Sequence, residues 1–448
     1  MGLRLVNIDR QTPMLLPPDL RDWVQGDDLA HFIIDALEAV DLSLAALNVR
    51  GTGSEQYPPG MMLGLLIYCY AQGIFSSRQI ERATRQHVSV RYLSGDTHPD
   101  HDTIAKFRRE NGELLRSAFV QVLRLAKASG LLRVGAIAID GTKLKGSAAK
   151  SKTMRLSEIE REIRAINVEV GQLLKRAEAA DQSASEADGE LPAELAEAQT
   201  RHERLVAAKA ELERQARELH EERERQRARE AARGVPRRAQ VKSVAAQPQP
   251  GAQINPSDPE SGLMPTAQQG YIQGYNAQVA VSVPEPSGSV GLIVAAEVVR
   301  EANDMLQLEP MSEAAIENLQ EAPSRVLADT GYDNTRQILG LEQRHGLQVL
   351  CPPARNARLK AGHVSRYRWD RQRYQARQNM RHRLQEPEAK ALYNRRGTSV
   401  EPAIGIVKNA IGFNRFRLRG LEKVGIEWTL VSLAFNCRRL AAAKPQWN

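Results

Sequence analysis

Cysteine and long apolar runs are both scarce in this sequence, and each shortage excludes a class of protein. The three cysteines in 448 residues lie far apart, without CxxC spacing, which argues against a disulfide framework and against a zinc knuckle. The most apolar run, residues 61–70, is about half as long as a membrane span must be. The first residues lack the apolar stretch of a secretory signal. We therefore expect a soluble, cytoplasmic protein with no membrane partner.

Basic residues outnumber acidic ones, 62 to 54, and the sequence pI is about 9.4. This balance favours an anionic partner such as nucleic acid, although a basic protein without one fits it too. The excess is local, because residues 354–420 hold 17 Lys and Arg against 4 Asp and Glu. Arginines there alternate with Tyr367, Trp369 and Tyr374, a mixture that suits phosphate contacts and stacking. A solvated basic face is the simpler alternative.

The chain is too long for one compact core, and its composition changes along its length. Residues 1–125 predict an all-helical domain with helices over 29–47, 61–72 and 78–88, and a last one from Asp102. Ser76 followed by Gln79 is a capping-box signal. The last helix carries Lys106, Arg108 and Arg109, which predicts either a helix-turn-helix DNA contact or a purely structural module.

Residues 154–234 predict two long helices that fold back on each other as an inserted antiparallel coiled-coil hairpin, joined by a polar turn at 181–192. The first heptad seam is Ile159, Ile163, Ile166, Val170 and Leu173, and a weaker second one is Leu195, Ala198, Leu205, Leu212, Ala216 and Leu219. The charges here predict a solvated face, with a dimer contact as the alternative. Residues 235–270, rich in Pro, Gln, Ala and Ser, predict a linker or loop.

Residues 130–153 and 271–448 predict a mixed α+β or α/β catalytic domain. A buried strand over 134–139 ends at Asp140. A hairpin follows, with strands 275–283 and 292–299 across Pro286, Ser287 and Gly288. Then come a helix at 304–319, a strand at 325–328 ending in Asp329, a helix at 334–344 and a strand at 347–351. This order is the pattern of an RNase H-like fold.

Two carboxylates that follow neighbouring strands are expected to lie within a few ångströms of each other. Their repulsion raises one pKa unless a cation lies between them, and Mg²⁺ prefers such oxygen ligands. Two divalent ions there can activate an attacking hydroxyl and stabilise the leaving oxygen of a phosphodiester. For either acid alone, Asp-Gly or Asp-Thr-Gly after a strand also fits a plain turn.

A third carboxylate is expected from a late helix, and Glu401 is the candidate. Pro402 suits the first turn of a helix, and Lys408 lies seven residues further along the same helix face. A glutamate at a helix start is also favoured by the helix dipole alone. Glu386 and Glu388 are weaker competitors.

Several segments resemble the DDE transposases of bacterial insertion sequences, and the likeness covers nearly the whole chain. The segment SSRQIERATRQHVSVRYLSGDTHPDHDTIAKFRREN resembles the amino-terminal domain of that family. IDGTKLKGSAAKSKT resembles the first acidic motif, GYNAQVAVS the strand after it and LADTGYDN the second acidic motif. YNRRGTSVEPAIGIVKNAIGFNRFRLRGLEKVGIEWTLVSLAFN resembles the third.

The resemblance implies that Asp140, Asp329 and Glu401 are catalytic and bind two Mg²⁺ or Mn²⁺ ions, with Asp140 bridging them. It implies that Tyr393, Arg396 and Lys408 contact DNA near the scissile phosphate. Four residues separate Arg396 from Glu401 where related groups often have three, so Arg395 remains an alternative to Arg396. Further DNA contacts are expected from the basic tail, at Arg415, Arg417 and Arg419.

The expected function is metal-dependent cleavage at transposon ends followed by strand transfer into target DNA. The partners are then the terminal inverted repeats, target DNA and a second copy of the chain in a homodimer associated with the nucleoid. Two rivals remain: a catalytically inactive transposase-derived DNA-binding protein, and a coiled-coil interaction protein that uses the catalytic fold as a scaffold.

Overall fold

A computed structural model describes residues 19–48, 55–183, 191–232, 240–266, 270–285, 288–354 and 368–443. Pro286 and Ser287 of the predicted hairpin turn, most of the polar turn at 181–192, and Tyr367 lie outside the described residues, as does the side chain of Trp369. Within the described ranges, no helix is both long and apolar enough to cross a membrane.

Among the described residues of the N-terminal part there are six α-helices, and side-chain caps explain where three of them begin. They are α1 (Leu29–Glu38), α2 (Pro59–Ala71), α3 (Ser77–Gln86), α4 (Val88–Leu93), α5 (His101–Glu110) and α6 (Gly112–Ala128). Asp28, Ser76 and Asp100 each accept a hydrogen bond from a backbone amide in the first turn of α1, α3 and α5. The predicted capping role of Ser76 is confirmed. The helix predicted over 29–47 is shorter than expected and ends at Glu38.

The strands are β1 (Ala136–Lys145), β2 (Met154–Arg155), β3 (Gln253–Ile254), β4 (Gly262–Thr266), β5 (Gly270–Ser282), β6 (Ile293–Val299), β7 (Arg325–Leu327) and β8 (Gln348–Leu350). The main sheet is mixed. β5 pairs antiparallel with β1, β4 and β6, whereas β7 pairs parallel with β1 and β8 parallel with β7. The predicted hairpin of β5 and β6 is confirmed.

Two predictions about this sheet are wrong. Residues 235–270 are not only a linker, because β4 pairs along β5 from Gly262 opposite Gly274 to Thr266 opposite Gly270. In addition, β1 does not end at Asp140 but continues to Lys145. Its antiparallel pairing with β5 supplies backbone partners beyond the apolar run, so the strand outlasts its hydrophobic signal.

Five described α-helices that follow β6 in the chain lie on or beside the sheet. They are α9 (Leu308–Leu319), α10 (Thr335–His345), α11 (Arg368–Arg383), α12 (Pro387–Gly405) and α13 (Leu421–Ala442). Most of α13 is buried, and it packs against α2, α6 and β6. The N-terminal helices, the sheet and α13 therefore share one continuous hydrophobic core. The N-terminal helices were expected to form a domain of their own, but their buried side chains belong to the same core as those of the sheet.

The inserted helices α7 (Leu156–Ser183) and α8 (Leu191–Ala232) pack on each other with a smaller core of their own. Their direction follows from ion pairs, in which Arg176, Glu169 and Glu160 on α7 meet Glu194, Arg201 and Lys209 on α8 in reverse order. The pair is therefore antiparallel. Ile159, Ile166, Ala198 and Leu212 of the predicted seams are buried, but Leu219 is exposed, so the contact ends before it.

Candidate active site

The candidate site lies where one edge of β1 is open. The parallel pairing with β7 stops at Ala138 opposite Leu327. On the same side of β1, the next bridge in the described chain joins Lys145 to Arg415. The edge between these two points therefore forms a notch in the sheet, and the side chains around it come from several distant segments.

Asp140 and Asp329 occupy equivalent positions at the start of this notch. Each lies two residues beyond the last β1–β7 pair, and the backbone of Asp329 is still extended. Neighbouring strands lie about 4.8 Å apart, so the two acids are neighbours. The charge of Asp329 indeed contributes to raising the pKa of Asp140. The two acids therefore lie close enough to interact electrostatically.

The Asp140 carboxyl is held in place by two donors. Its Oδ1 accepts from the amide of Gly141 at 2.8 Å, and its Oδ2 accepts from Arg396 Nη1 at 3.1 Å. Burial raises the pKa of Asp140, and the Arg396 guanidinium and the Gly141 amide oppose this rise. The site thus concentrates negative charge in a partly buried position that favours a cation beside it.

Asp329 holds the turn that follows β7. Its Oδ1 accepts from the amide of Gly331 at 2.8 Å and so caps the short 3₁₀ turn Thr330–Tyr332. Cys351 Sγ donates to the backbone carbonyl of Asp329 at 3.1 Å. The turn that the sequence offered as the alternative is therefore present, and the Asp329 carboxylate caps it.

Helix α12 brings Arg396 to Asp140 and places Glu401 beside Arg396. Arg396 Nη2 lies 3.7 Å from Glu401 Oε1 while its Nη1 contacts Asp140, so one guanidinium joins two of the three predicted acids. Glu401 is 65% exposed and Arg396 only 14%. Tyr393, one turn earlier, is half-buried, which raises the pKa of its hydroxyl, and Arg396 opposes that rise.

The side chains of Arg395 and Arg396 point in different directions. Arg396 faces the acids, whereas Arg395 donates through Nη2 to the backbone carbonyl of Pro284. Arg395 therefore contacts the end of the β5 segment and not the acids. The weaker competitor Glu388 pairs with Arg325 at 2.8 Å and does not reach Asp140 in this arrangement.

Helix α12 differs from its prediction in where it begins. It starts at Pro387, so Glu401 and Pro402 lie inside the helix and not at its first turn. An interior proline removes one backbone hydrogen bond, and a π-helical turn, Ile406–Ala410, follows directly. Lys408 lies in this turn.

Lys408 reaches the same notch from the π turn. Its Nζ donates to Thr142 Oγ1 at 2.8 Å. Thr142 is two residues past Asp140 and therefore lies on the same face of β1. Burial lowers the pKa of Lys408. The predicted acids and Lys408 thus border one notch, although no group of three His, Cys, Asp or Glu side chains among the described residues is close enough to hold a metal ion as it stands.

A polar layer on the other face of β1 was missed from the sequence. Asp304 accepts hydrogen bonds from Asn276 and Gln278, both at 2.7 Å, and lies 3.3 Å from Lys143 Nζ. The hydroxyl of Tyr332 donates to Gln278 Oε1. This layer connects β1, β5 and the turn that carries Asp329. Asn276 and Gln278, two amides alternating in an apolar strand, were the signal that could have revealed it.

Gly141 is required by this layer, and Gly141→Ala is expected to destabilise the fold. A Cβ at this position would lie 2.2 Å from Gln278 Nε2 and 2.8 Å from Asp304 Oδ1. Such overpacking costs about 1–3 kcal/mol of unfolding free energy, measurable as a lower urea midpoint. Gly340→Ala is the matched control, because its Cβ would meet only Arg344 Nη2 at 3.8 Å. Equal midpoints for the two variants would contradict the requirement.

The basic segment after α12 is exposed beside the notch. Arg415, Arg417 and Arg419 are exposed, while Phe416 between them is fully buried. Phe416 packs edge-on against Tyr275 and Trp428, which anchors the segment. The alternation directs the three predicted DNA-binding arginines to solvent.

The prediction for α5 needs a correction. Lys106 and Arg109 are exposed, but Arg108 is buried and cannot contact DNA from there. Arg108 Nη1 donates to the Tyr70 hydroxyl at 2.8 Å and to the Phe75 carbonyl at 3.0 Å. The guanidinium of Arg108 thus makes hydrogen bonds inside the core and is not available to a partner.

Two family models match parts of the chain. Residues 19–110, which include α1 to α5, match a model described as a transposase domain (DUF772). Residues 350–441 match a model described as a transposase DDE domain, and this segment includes Tyr393, Arg396, Glu401 and Lys408. No curated protein and no solved structure matches the chain.

Proposed function

Since the chain is a DDE transposase of the insertion-sequence type, we propose that it cuts DNA at transposon ends and transfers the freed 3′ ends into target DNA. The observation that carries this proposal is the equivalent position of Asp140 and Asp329 on adjacent parallel strands, with Arg396 linking Asp140 to Glu401. Both reactions are in-line displacements at a phosphodiester and need the same site.

The proposed catalytic domain is RNase H-like. In support, β1, β5 and β6 form an antiparallel meander, and β7 and β8 extend the sheet in parallel on the other side of β1. The antiparallel pair α7 and α8, inserted between β1 and β5, is proposed to be a coiled-coil insertion.

The donor set suits two Mg²⁺ or Mn²⁺ ions, because Asp140, Asp329 and Glu401 offer hard carboxylate oxygens. The burial that raises the pKa of Asp140 also favours a compensating cation at this point. Arg396 already places one positive group between Asp140 and Glu401. When bound, the ions would activate the attacking hydroxyl and stabilise the leaving oxygen.

The chain's own cations are proposed to hold the DNA backbone. Arg396 and Lys408 contact Asp140 and Thr142 within the notch. They would contact phosphates beside the scissile bond, with Tyr393 next to Arg396. Arg415, Arg417 and Arg419 would extend this contact along the backbone, which is a sequence-independent, salt-sensitive contribution. Joining two transposon ends is proposed to require a homodimer, acting on nucleoid DNA.

The test is a nicking assay on a supercoiled plasmid that carries the inverted repeats flanking the gene. We expect nicks at the repeat ends with Mg²⁺ or Mn²⁺, none with EDTA, and joined products after longer incubation. End binding without nicks under any divalent ion would refute the enzyme and identify an inactive transposase-derived DNA-binding protein. The lack of both would favour the interaction protein.

A further inference from the structure

The exposed face of α3 has an unusual composition. Arg78, Arg82 and Arg85 follow one another at intervals of four and three residues, so they lie along one face of the helix. Gln79 and Gln86 flank this row, and all five side chains are exposed. We refer to these five residues as the α3 face.

The opposite side of α3 fixes the helix in the N-terminal fold. Ile80, Ala83 and Thr84 are buried there against the neighbouring helices. Glu81, the only acid in the helix, is turned towards α5, where its Oε2 accepts from His101 Nδ1 at 2.8 Å. The α3 face is therefore rigidly presented and contains no acid.

The arginines of this face lack the carboxylates that neighbouring cations have. Among the described residues, no carboxylate lies within salt-bridge distance of the three, whereas Arg91 next to α3 pairs with Asp96 at 2.8 Å. Three like charges within two helical turns repel one another and do not stabilise the fold. An anionic partner would neutralise them.

The residue types indicate which anion. Arginine makes two hydrogen bonds to guanine, and glutamine two to adenine, at the edges exposed in the major groove of duplex DNA. From Arg78 to Arg85 the helix axis advances about 10 Å, which matches the roughly 12 Å width of that groove. By contrast, the exposed charges of α5 include Asp102 and Glu110 besides Lys106 and Arg109.

We propose that α3 is the DNA-recognition helix of this protein and that its exposed Arg and Gln side chains read bases in the major groove of the transposon end. The assignment replaces the last helix, α5, as the reader of DNA. It rests on the proposed function only for the identity of the DNA, since binding requires neither the acids nor a metal.

The experiment measures binding of the full chain in EDTA to a labelled duplex of the flanking inverted repeat and to a scrambled duplex of equal composition. The variant Arg78→Ala/Arg82→Ala/Arg85→Ala is compared with Arg161→Ala/Arg204→Ala/Arg217→Ala. The second set removes the same charge from exposed arginines of α7 and α8. Circular dichroism and the urea midpoint establish that both variants are folded.

We expect the α3 variant to lose affinity for the repeat by at least about 100-fold, since each lost base contact costs about 10-fold. The affinity of the control variant for the repeat is expected to stay within about threefold of the wild type. Both variants lose three positive charges, so the effect of net charge on binding is the same in both. Wild-type binding by the α3 variant, an equal loss in both variants, or a wild type that does not prefer the repeat would each overturn the proposal.

A second variant tests base reading separately from charge. Gln79→Ala/Gln86→Ala removes no charge and is expected to reduce the preference for the repeat over the scrambled duplex by about 10-fold, with an unchanged dependence on salt. An unchanged preference would refute base reading by this face. A chain that binds the repeat through α3 but never nicks it would refute the catalytic proposal alone.

Discussion

Asp140→Asn is expected to lower the rate of metal-dependent DNA cleavage by more than about 100-fold. Loss of a residue that only supports a metal ligand already costs up to about 100-fold, and loss of the ligand itself should cost more. The amide has the shape of the carboxyl but lacks the charge that binds a hard divalent cation. End binding in EDTA is expected to remain at the wild-type level. The measurement is the initial rate of plasmid nicking with Mg²⁺ and with Mn²⁺.

Stability provides a second readout for the same variant. The pKa of Asp140 is raised in the folded protein, mainly by burial. As pH rises above the ordinary aspartate pKa, the unfolded chain therefore loses its proton first, and this group's contribution to wild-type stability falls. Asp140→Asn lacks that fall. Added Mn²⁺ is expected to raise the melting temperature of the wild type but not of the variant, because only the folded wild type binds the ion.

Asp102→Asn is the matched control, because Asp102 is 90% exposed and far from the notch in sequence. It is expected to cleave and to respond to Mn²⁺ like the wild type. Cleavage by Asp140→Asn at the wild-type rate would show that Asp140 is not a metal ligand and would end the catalytic assignment.

Arg108→Met is expected to reduce the unfolding free energy by about 3–5 kcal/mol, the cost of leaving one member of a buried charge network without its partner. Arg108 reaches Glu427 through the Tyr70 hydroxyl, which donates to Glu427 Oε1 at 3.0 Å. Glu427 is fully buried, and this burial raises the pKa of its carboxyl. The positive charge of Arg108 opposes that rise. The urea midpoint, followed by circular dichroism and by the fluorescence of buried Trp428, measures the effect.

Two variants separate this network from a general loss of charge. Arg109→Met removes an exposed arginine from the same helix and is expected to change the unfolding free energy by less than about 0.5 kcal/mol. Arg108→Met/Glu427→Gln removes both buried charges and is expected to recover a large part of the loss. If Arg108→Met unfolded at the wild-type midpoint, Arg108 would not be part of the shared core.

The strand elements and the two aspartates were predictable because their signals are local. The apolar run before Asp140 and the one before Asp329 each indicate a strand within a few residues. The helix cap at Ser76 is likewise read from neighbouring residues, and the helix predicted from residue 334 begins at Thr335. Local signals do not reveal a strand that depends on its partner. The strand β4 was missed because its pairing with β5, and not its composition, makes it a strand.

The sequence by itself indicated the transposase resemblance, the two aspartates at strand ends and the positions of most helices and strands, since these depend on residue type and short-range spacing. Only the tertiary structure decided the direction in which individual side chains point. Arg396 faces Asp140 while its neighbour Arg395 faces Pro284, and Arg108 enters the core while Arg109 stays in solvent. Adjacent residues on a helix are about 100° apart, so the packing of the helix against distant segments selects which one is buried.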